Sequence, residues 1–488
     1  MKKAIVIGGG FAGLSAAAFL AKDGIGVTII EKNQTIGGRA RLLQTKGYSF
    51  DMGPSWYWMH DIYENFFKKF SYKSSDFYEI IKLDPGFKVI FDTNEVNIPA
   101  NFEETCKIFE SYEKGGEMKL KKFMKDAERK YKIGLEFLYK SPGLSILELF
   151  KKDLIYNMRD LTLLSSYRSH VRKYFNNPFL IHILEFPVLF LGATANNMPA
   201  LYSLMSYSGI KQGTYYPIGG FNKIIHSMKK VCTSLDVKIL ENEEVLKINI
   251  RNNEAVSIKT NKRNIDADII ISSADYEHVE NSLIPKNLRN YSKEYWKKKQ
   301  FSPSSLIFYL GIDKKVDNLE HHNLFFDEDI EKNSEDIYIK KRWNESPLFY
   351  VCCPSKTDTS LAPEGKENIF ILMPIAAGLE DTEEIREKYF KIIIKRIEKY
   401  TNQDLIKSIE YKKSYCINDF KNDYYAYKGN AYGLANTLSQ TANLKPKIIN
   451  KKVHNLFYTG QLTVPGPGVP PSIISGELVA KHIIEKTS

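Results

Sequence analysis

The feature that most constrains this chain is a cluster of glycines between two apolar runs within its first forty residues. The apolar run 4–7 leads into the glycine-rich segment 8–13. A segment of small residues continues to Lys22, and a second apolar run, 27–30, ends at Glu31. This pattern predicts a strand, a helix over about 12–22 and a second strand. It is typical of the βαβ unit that binds a dinucleotide.

Each conspicuous residue of this unit has a predicted role. Gly8 permits the tight turn, Gly10 lets the backbone approach a pyrophosphate, and Gly13 lets helix and strand pack closely. The N-terminus of the helix offers N–H groups and a positive dipole to the phosphates. Glu31, at the end of the second strand, is placed to accept hydrogen bonds from ribose hydroxyls.

Two other interpretations of the first residues remain open. Met1-Lys2-Lys3 before an apolar, Ala-rich run is typical of a secretory signal peptide, and a Gly cluster can be a structural turn. The glycine spacing, the acidic end of the second strand and the lack of a small-residue cleavage site favour the dinucleotide site.

A second glycine pair follows soon after the βαβ unit. Gly37-Gly38 stand directly before Arg39. Glycines allow close backbone approach, and Arg39 can pair with a phosphate. A surface turn with a solvated Arg is the alternative. The pair predicts a cofactor that is longer than NAD and extends past the first unit.

Composition limits the remaining possibilities. A chain of 488 residues exceeds one typical core, so we expect at least two domains. The net charge of +11 comes mainly from scattered Lys and reflects either a compositional bias or attraction to an anionic membrane. No basic patch indicates nucleic-acid binding. The five Cys form no CxxC pair, which favours a reducing cytoplasm, and the nine His show no metal-binding spacing, so no metal site is predicted.

The segment 179–205 is the most apolar part of the chain. Glu185, Pro187 and Pro199 are among the residues that interrupt it, and no run of ~20 uninterrupted apolar residues occurs in the sequence. We therefore expect no spanning helix here. The segment is either buried core, or the wall of an apolar channel or a surface that dips into a membrane.

Two further segments predict local structure around the glycine-rich unit. The stretches 237–250, 254–260 and 267–279 alternate or are wholly apolar, and they predict a β-meander. Near the C-terminus, Pro470 or Pro471 can start a helix whose N–H groups face the pocket.

Four motifs occur in a characteristic order: GYSFDMGPS at 47–55, YYPIGGFNKII at 215–225, ADIIISSAD at 267–275 and NLFYTGQLTVPGPGVPPSIISGE at 455–477. Together with the N-terminal unit they resemble the bacterial-type phytoene desaturases. These are FAD-dependent carotenoid desaturases related to amine oxidases and protoporphyrinogen oxidase. The resemblance covers residues 1 to about 485.

The resemblance implies an α/β fold, α+β overall, with two units. A Rossmann-like FAD-binding domain would comprise 1–82, 214–282 and 415–488. A discontinuous substrate and membrane-associating domain of mixed sheet and helices would comprise 83–213 and 283–414.

The resemblance also implies a set of FAD-binding residues. Val245 matches a backbone contact to adenine, and Gly460 with 469–473 matches the part beside the ribityl chain and isoalloxazine ring. Gln461 stands where the superfamily often has an acidic residue, so a carboxylate contact to the ribityl chain is in question. The implied residues are Gly8, Gly10, Phe11, Ala12, Gly13, Glu31, Lys32, Gly38, Arg39, Gly53, Pro54, Val245, Gly460, Gln461, Val469, Pro470 and Ile473.

The implied reaction removes two hydrogens across a CH–CH bond beside a polyene, one as hydride to the flavin and one as a proton. The family-based candidates for acid–base work are Glu148 and Lys151, which stand three apart on a predicted helix and share a face. An exposed ion pair is the alternative, and flavin and positioning can supply the catalysis without either residue.

The implied partners are a carotenoid hydrocarbon and a membrane surface. Such a substrate binds through apolar burial, at about 25 cal/mol per Å². We expect a cytoplasmic protein that docks on the cytoplasmic face of the membrane and opens an apolar tunnel to it. The oligomeric state is left open. One alternative is an enzyme that acts on another carotenoid or a shorter polyene, as a desaturase, a ketolase or oxygenase, or an isomerase. The others are an amine oxidase and a flavin-binding scaffold without turnover.

Overall fold

The N-terminal βαβ unit forms as the sequence predicts. The computed structural model of the protein describes residues 1–144, 165–189, 191–437 and 439–487. Strand β1 (Lys3–Ile7) runs into helix α1 (Phe11–Lys22), and strand β2 (Gly26–Ile30) returns parallel to β1. The apolar runs become the two strands because both of their faces are covered.

Further strands and helices follow in chain order. The remaining strands are β3 (Leu42–Thr45), β4 (Tyr48–Asp51), β5 (Ile80–Lys82), β6 (Phe87–Phe91), β7 (Glu95–Ile98), β8 (Tyr215–Pro217), β9 (Lys238–Leu240), β10 (Val245–Arg251), β11 (Glu254–Thr260), β12 (Asn264–Asp266), β13 (Ile269–Ser272), β14 (Ser304–Ile312), β15 (His322–Phe326), β16 (Phe349–Cys352), β17 (Glu367–Ile375), β18 (Ile409–Tyr415) and β19 (Leu456–Tyr458). The α-helices of the described residues after α1 are α2 (His60–Lys68), α3 (Phe102–Tyr112), α4 (Gly116–Lys140), α5 (Tyr167–Val171), α6 (Pro178–Leu189), α7 (Ser203–Ser206), α8 (Phe221–Ser234), α9 (Tyr276–His278), α10 (Lys293–Lys298), α11 (Ile330–Glu335), α12 (Glu383–Thr401), α13 (Ile417–Tyr424) and α14 (Val469–Thr487).

A five-stranded parallel sheet holds the N-terminal unit at its centre. Its order is β19-β13-β1-β2-β9, and α1 packs closely against α14. A Cβ atom at Gly476 of α14 would lie 2.4 Å from the carbonyl oxygen of Ala12 in α1. This glycine therefore allows the backbones of the two helices to approach. The predicted Rossmann-like α/β fold is confirmed.

The predicted β-meander is wrong in part. Strands β10, β11 and β12 form an antiparallel three-stranded sheet, but β9 and β13 leave it and join the parallel sheet. All four residues of β13 are buried. A wholly apolar strand belongs in the interior of a parallel sheet, where both faces are covered, rather than at the face of a small meander.

A seven-stranded mixed sheet forms a second layer. Its order is β18-β14-β17-β16-β15-β6-β7, with β15 and β6 parallel and the other neighbours antiparallel. It joins strands from 83–213 to strands from 283–414. Strands β5 and β8 pair where the chain passes between the two sheets. The domain bounds themselves stay a prediction.

Two of the sequence motifs meet through one carboxylate. Asp51, at the end of β4, accepts hydrogen bonds from the backbone N–H groups of Phe221 (2.7 Å) and Asn222 (3.0 Å) at the start of α8. A Cβ at Gly220 would lie 2.3 Å from the Asp51 carboxylate. The GYSFD and GGFN segments therefore fix β4 to the N-terminus of α8, where an acidic group is favoured.

The described residues of the apolar segment 179–205 contribute both to the buried core and to the wall of a cavity. Leu180, Ile183 and Leu184 on α6 belong to the main buried core, whereas Leu201 and Leu204 line a cavity. Within the described parts of the chain, no helix has the length and apolar character needed to cross a bilayer.

Candidate functional site

A single cavity of about 460 Å³ connects the parallel sheet to the seven-stranded sheet. The Rossmann side of this cavity, near the start of α1, is called the nucleotide arm. The other side, between β14, β17 and the helices α4 and α7, is called the apolar arm. The predicted cofactor residues that line the cavity are Gly8, Gly10, Phe11, Ala12, Glu31, Lys32, Gly38, Arg39, Gly53, Pro54, Val245, Gly460, Gln461, Val469 and Pro470.

Gly13 and Ile473, the other two predicted cofactor residues, lie behind the cavity wall. A Cβ at Gly13 would come within 2.1 Å of the Gly8 carbonyl oxygen. The Ile473 carbonyl accepts a hydrogen bond from Ser15 Oγ at 2.7 Å, which ties α14 to α1. These two residues shape the site from outside it.

The N-terminus of α1 opens into the nucleotide arm. Gly10 is its N-cap with φ −83°, and in the described residues neither a side-chain cap nor an acidic group of the first turn occupies this end. A Cβ at Gly38 would lie only 3.3 Å from the Gly10 Cα, so the floor here is bare backbone. Free N–H groups and the helix dipole at such a floor suit a phosphate.

Glu31 is buried at the end of β2. Its carboxylate accepts from the Gly9 N–H, the Asn33 N–H and the Asn33 side-chain amide, each at 2.9 Å. A carboxylate has about four acceptor positions, so one remains for a hydroxyl of a ribose. The residue fits the role that the sequence predicted.

An aromatic wall beyond Glu31 was missed by the sequence interpretation. The Lys32 Nζ lies 3.7 Å from the centroid of the Tyr425 ring, which stacks on His278 at 4.1 Å. The Tyr425 hydroxyl donates to Glu244 at 2.5 Å. Burial lowers the pKa of His278 to about 4 and keeps it neutral. Lys32, Glu244, His278 and Tyr425 all line the cavity beside Val245. Their separation in the chain left no local signal.

Arg39 supplies a cation inside the cavity. Its Nη2 donates to the Asn430 carbonyl at 3.3 Å and to the amide oxygen of Gln461 at 2.9 Å when that amide is oriented to satisfy its neighbours. Its Nε has no partner, and among the described residues no carboxylate lies within ion-pair distance of it. Burial lowers the pKa of the guanidinium. A buried guanidinium with a free donor suits an anion such as a phosphate.

The apolar arm is walled by hydrocarbon side chains from distant segments. They include Phe137, Leu138, Leu204, Met205, Ile307 and Leu372. Few polar groups reach this part of the cavity, and Ser55 and Tyr350 are two of them. Such a wall binds an apolar ligand and excludes water.

Two adjacent histidines at the start of β15, His321 just before the strand and His322 as its first residue, form a buried cluster beside the cavity. The His322 Nδ1 lies 2.6 Å from the Tyr350 hydroxyl, which lies 3.0 Å from Ser55 Oγ. Nitrogen atoms of His321 and His322 and the Cys352 sulfur lie within 4.8 Å of one another. No spacing motif indicated this cluster, because neighbouring strands bring its members together.

Lys445 is a buried amino group that has no hydrogen-bond partner among the described residues. Its side chain is 2% exposed, and its Nζ makes no hydrogen bond within the described residues. Burial lowers its pKa to about 7. A Cβ at Gly466 would lie 3.2 Å from this Nζ and 3.0 Å from the Asn436 Oδ1, which also lacks a partner. Asn436 lines the cavity, so these groups add polarity near the Pro465–Pro467 loop.

The two predicted acid–base candidates, Glu148 and Lys151, lie outside the residues that the structure describes. Their roles stay a prediction.

Comparison with known proteins gives consistent matches along the whole chain. The family described as flavin-containing amine oxidoreductases matches residues 11–484. Carotenoid 3,4-desaturase of Haloarcula japonica is 37% identical over 483 residues, which cover 98% of this chain and 97% of that protein. A 4,4'-diapophytoene desaturase (4,4'-diaponeurosporene-forming) of Staphylococcus aureus is 30% identical over 502 residues, covering 99% of each chain.

Solved structures share the fold at low sequence identity. An oxidoreductase from Methanosarcina mazei superimposes with a TM-score of 0.63 at 17% identity, covering 98% of this chain and all of that chain. A putrescine oxidase bound to putrescine superimposes with a TM-score of 0.60 at 13% identity, covering 99% of each chain.

Proposed function

The chain belongs to the family of flavin-containing amine oxidoreductases, with FAD as its cofactor, and we propose that it is a carotenoid desaturase that converts phytoene stepwise to lycopene. The observation that carries the proposal is the single cavity that joins a dinucleotide site to a hydrocarbon-lined arm. Two relatives that cover nearly the whole chain are carotenoid desaturases, which supports the same class of substrate.

The nucleotide arm would hold FAD along its length. The N-terminus of α1 and Arg39 would bind the phosphates, Glu31 a ribose hydroxyl, and the wall beside Val245 the adenine. Gly460 and Val469 would flank the flavin end. When bound there, FAD supplies a two-electron hydride acceptor.

The apolar arm would bind and orient the polyene and exclude water from it. A carotene has no polar group, so its affinity must come from apolar burial at about 25 cal/mol per Å². Removal of an allylic hydride is eased because the developing charge spreads over the conjugated chain. The protein then has to hold one CH–CH bond beside the flavin end, and positioning of this kind supplies much of a catalytic effect.

A membrane surface is the proposed source of the substrate. Carotenes reside in bilayers, and the net charge of +11 supports docking on an anionic cytoplasmic face. We expect the protein to sediment with liposomes that contain anionic lipid and to be released as salt screens the charge. Equal binding to neutral liposomes at high salt would contradict the electrostatic part of this proposal.

Desaturation at the 3,4 position of a carotenoid is a second candidate. The 37% identity to the Haloarcula japonica carotenoid 3,4-desaturase favours it. The two candidates use the same cofactor and differ in the carbon–carbon bond presented to it.

The deciding experiment incubates the purified FAD-loaded protein with liposomes that carry phytoene, lycopene or 4,4'-diapophytoene. Pigments are then separated by chromatography. Lycopene formed from phytoene supports the first candidate, and consumption of lycopene supports the second. A polyamine is tested as a further substrate. Turnover of the polyamine, without turnover of any of the three polyenes, would contradict both candidates and favour an amine oxidase. No turnover of any compound by protein that retains FAD would favour a flavin-binding scaffold.

The predicted acid–base pair can be tested in the same assay. Glu148 and Lys151 are one of two candidate routes for the substrate proton; if either residue accepts it, Glu148→Gln or Lys151→Met should slow turnover about 100-fold while FAD is retained. Unchanged turnover would identify the two residues as an ion pair without a catalytic role.

A further inference from the structure

We propose that Ser55, Tyr350 and His322 form a relay that carries the substrate proton out of the cavity. This inference rests on the proposed function, because it concerns the proton that a desaturation releases. It assigns a task to the buried cluster on β15 and β16, which lies outside the predicted cofactor and acid–base residues.

The relay begins where the two arms of the cavity meet. Ser55 directly follows Gly53 and Pro54, which line the predicted cofactor end, and it lines the cavity together with Tyr350. The Tyr350 hydroxyl lies 3.0 Å from Ser55 Oγ and 2.6 Å from His322 Nδ1. An unbroken chain of hydrogen bonds therefore leads from the cavity wall to a buried imidazole.

The chain of hydrogen bonds can point in either direction. In one arrangement, His322 Nδ1–H donates to the Tyr350 oxygen, which donates to Ser55 Oγ. In the other, Ser55 donates to Tyr350 and Tyr350 donates to His322 Nδ1. A hydroxyl both donates and accepts, and neutral imidazole has two tautomers. When Ser55 takes up a proton in the second arrangement, concerted shifts of the two hydroxyl protons deliver one proton to His322 Nδ1 without movement of heavy atoms.

The proposed step conserves atoms and charge. FAD, when bound in the nucleotide arm, would accept the hydride and its electron pair from one C–H bond. The neighbouring C–H bond breaks, its electron pair becomes the new C=C bond, and its proton passes to Ser55 Oγ. The hydroxyl proton of Ser55 moves to Tyr350, and that of Tyr350 moves to His322 Nδ1, which becomes an imidazolium ion.

The surroundings keep His322 ready to accept this proton. Its ring stacks on Trp56 at a centroid distance of 4.1 Å. Burial lowers the pKa of His322 well below its ordinary value, so the ring is neutral at rest. A weak base is sufficient, because a proton next to a developing carbocation is strongly acidic. Burial raises the pKa of the neighbouring Cys352 thiol to about 12, so this group stays protonated.

A second histidine packs beside the end of this chain of hydrogen bonds. The His321 ring lies 4.4 Å from that of His322, and its Nδ1 lies 2.7 Å from Thr357 Oγ1. Thr357 is half-buried, whereas both histidines are buried. The Nε2 atoms of the two histidines have no hydrogen-bond partner within the described residues. Both nitrogens are buried, so among the described residues the chain of hydrogen bonds ends at the His322 ring, where the proton is held.

The test compares Tyr350→Phe with Tyr309→Phe. Tyr309 lies on β14 of the same sheet, and its buried hydroxyl donates to the Met52 carbonyl at 2.8 Å. In single-turnover assays with FAD and polyene, we expect Tyr350→Phe to slow formation of the double bond about 100-fold. We also expect the solvent deuterium isotope effect on the wild-type rate to indicate the transfer of several protons. This isotope effect should change in Tyr350→Phe. FAD content and polyene affinity should stay the same.

A second readout needs no turnover. In protein labelled with ¹⁵N-histidine, the imidazole signal that disappears in His322→Gln is assigned to His322. We expect its tautomer pattern to change in Tyr350→Phe and to be preserved in Tyr309→Phe. This measurement reports the coupling between the hydroxyl and the imidazole directly.

The outcomes separate the relay from the proposed function. If the wild type desaturates no polyene, the proposed function fails. If the wild type is active, the relay is overturned when Tyr350→Phe matches Tyr309→Phe in rate and isotope effect, or when His322 keeps its tautomer pattern in Tyr350→Phe. A stoichiometric divalent metal in the purified protein would also overturn it, because His321, His322 and Cys352 would then bind the ion.

Discussion

At the scale of single residues, several groups at the cofactor end have hydrogen-bonding capacity that the described residues leave unused. Gly10 and Gly38 present bare backbone to the cavity, and the Arg39 guanidinium has an unused donor. Burial disfavours the charged form of Lys445, because it removes water from an ammonium group that has no partner among the described residues. These residues give predictions that separate binding from folding.

Gly10→Val should abolish FAD binding and leave the fold intact. A Cβ here has the Gly38 Cα as its nearest neighbour, at 3.8 Å, and the backbone angle suits any residue. The added side chain would occupy the place of the phosphates. We expect FAD affinity to fall at least about 100-fold, or about 3 kcal/mol, by flavin fluorescence titration.

Gly13→Val is the matched control for this prediction. Its Cβ would collide with the Gly8 carbonyl oxygen, so it should lower the melting temperature of the apoprotein, which Gly10→Val should not. Normal FAD retention by Gly10→Val would show that the phosphates lie elsewhere.

Lys445→Met should stabilise the protein most at low pH. The folded-state pKa of Lys445 is about 7, below the ordinary value of 10.5. Below pH 7 Lys445 is charged in both the folded and the unfolded protein, so the cost of burying the charge lowers the free energy of unfolding by its full amount. Between pH 7 and 10.5 only the unfolded chain holds the proton, so the penalty fades as pH rises. A pKa change of one unit is worth about 1.4 kcal/mol, so the gain at pH 6 should reach a few kcal/mol.

Urea unfolding of the apoprotein at pH 6 and pH 9 measures this gain. Lys451→Met is the control, because Lys451 is exposed. An equal gain at both pH values would exclude burial of the charge as the cause.

At the scale of elements, local patterns predict well where one segment determines its own structure. Helix α1 and the first two strands form within a residue of the predicted bounds. The predicted meander was wrong in part, because the pairing partners of a strand depend on the whole sheet and not on the strand's own sequence. Strand β13 lies between β1 and β19, which are more than 180 residues away on either side.

Gly476→Ala should destabilise the contact between α14 and α1. The new Cβ would lie 2.4 Å from the Ala12 carbonyl oxygen and 2.7 Å from the Ala16 nitrogen, both of which are backbone atoms that cannot yield. We expect a loss of about 1 to 3 kcal/mol in the free energy of unfolding, measured by denaturant titration.

Gly134→Ala in α4 provides the comparison for this change. Its Cβ would make ordinary contacts of 3.5 Å and 3.6 Å with Leu204 and Leu201, so the better helix propensity of Ala should dominate. If Gly476→Ala were as stable as Gly134→Ala, α14 and α1 would not be in close contact.

At the scale of the whole molecule, function depends on a cavity that no single segment contains. The nucleotide arm uses residues from both ends of the chain, and the apolar arm uses α4, α7, β14 and β17. The family, the α/β fold and FAD were predicted from motifs and are confirmed. The substrate within the carotenoids stays a prediction.

Met205→Trp should block the apolar arm and spare the cofactor. The side chain of Met205 lines this arm, and a larger ring there would fill space needed by the polyene. We expect turnover to fall at least about tenfold while flavin absorbance of the purified protein is unchanged. Ile339→Trp, at an exposed position, is the control. Full activity of Met205→Trp would place the polyene elsewhere.

The sequence by itself determined the cofactor-binding unit, because glycine spacing, small helix residues and the terminal Glu31 act within one continuous segment. The same is true of the helix that begins beside Pro470. Only the tertiary structure decided which distant side chains complete the site. Tyr425 reaches the wall beside Glu31, and Tyr350 joins His322 to Ser55, across hundreds of residues. The physical reason is that strand pairing and core packing set these distances, and neither is written in any local pattern.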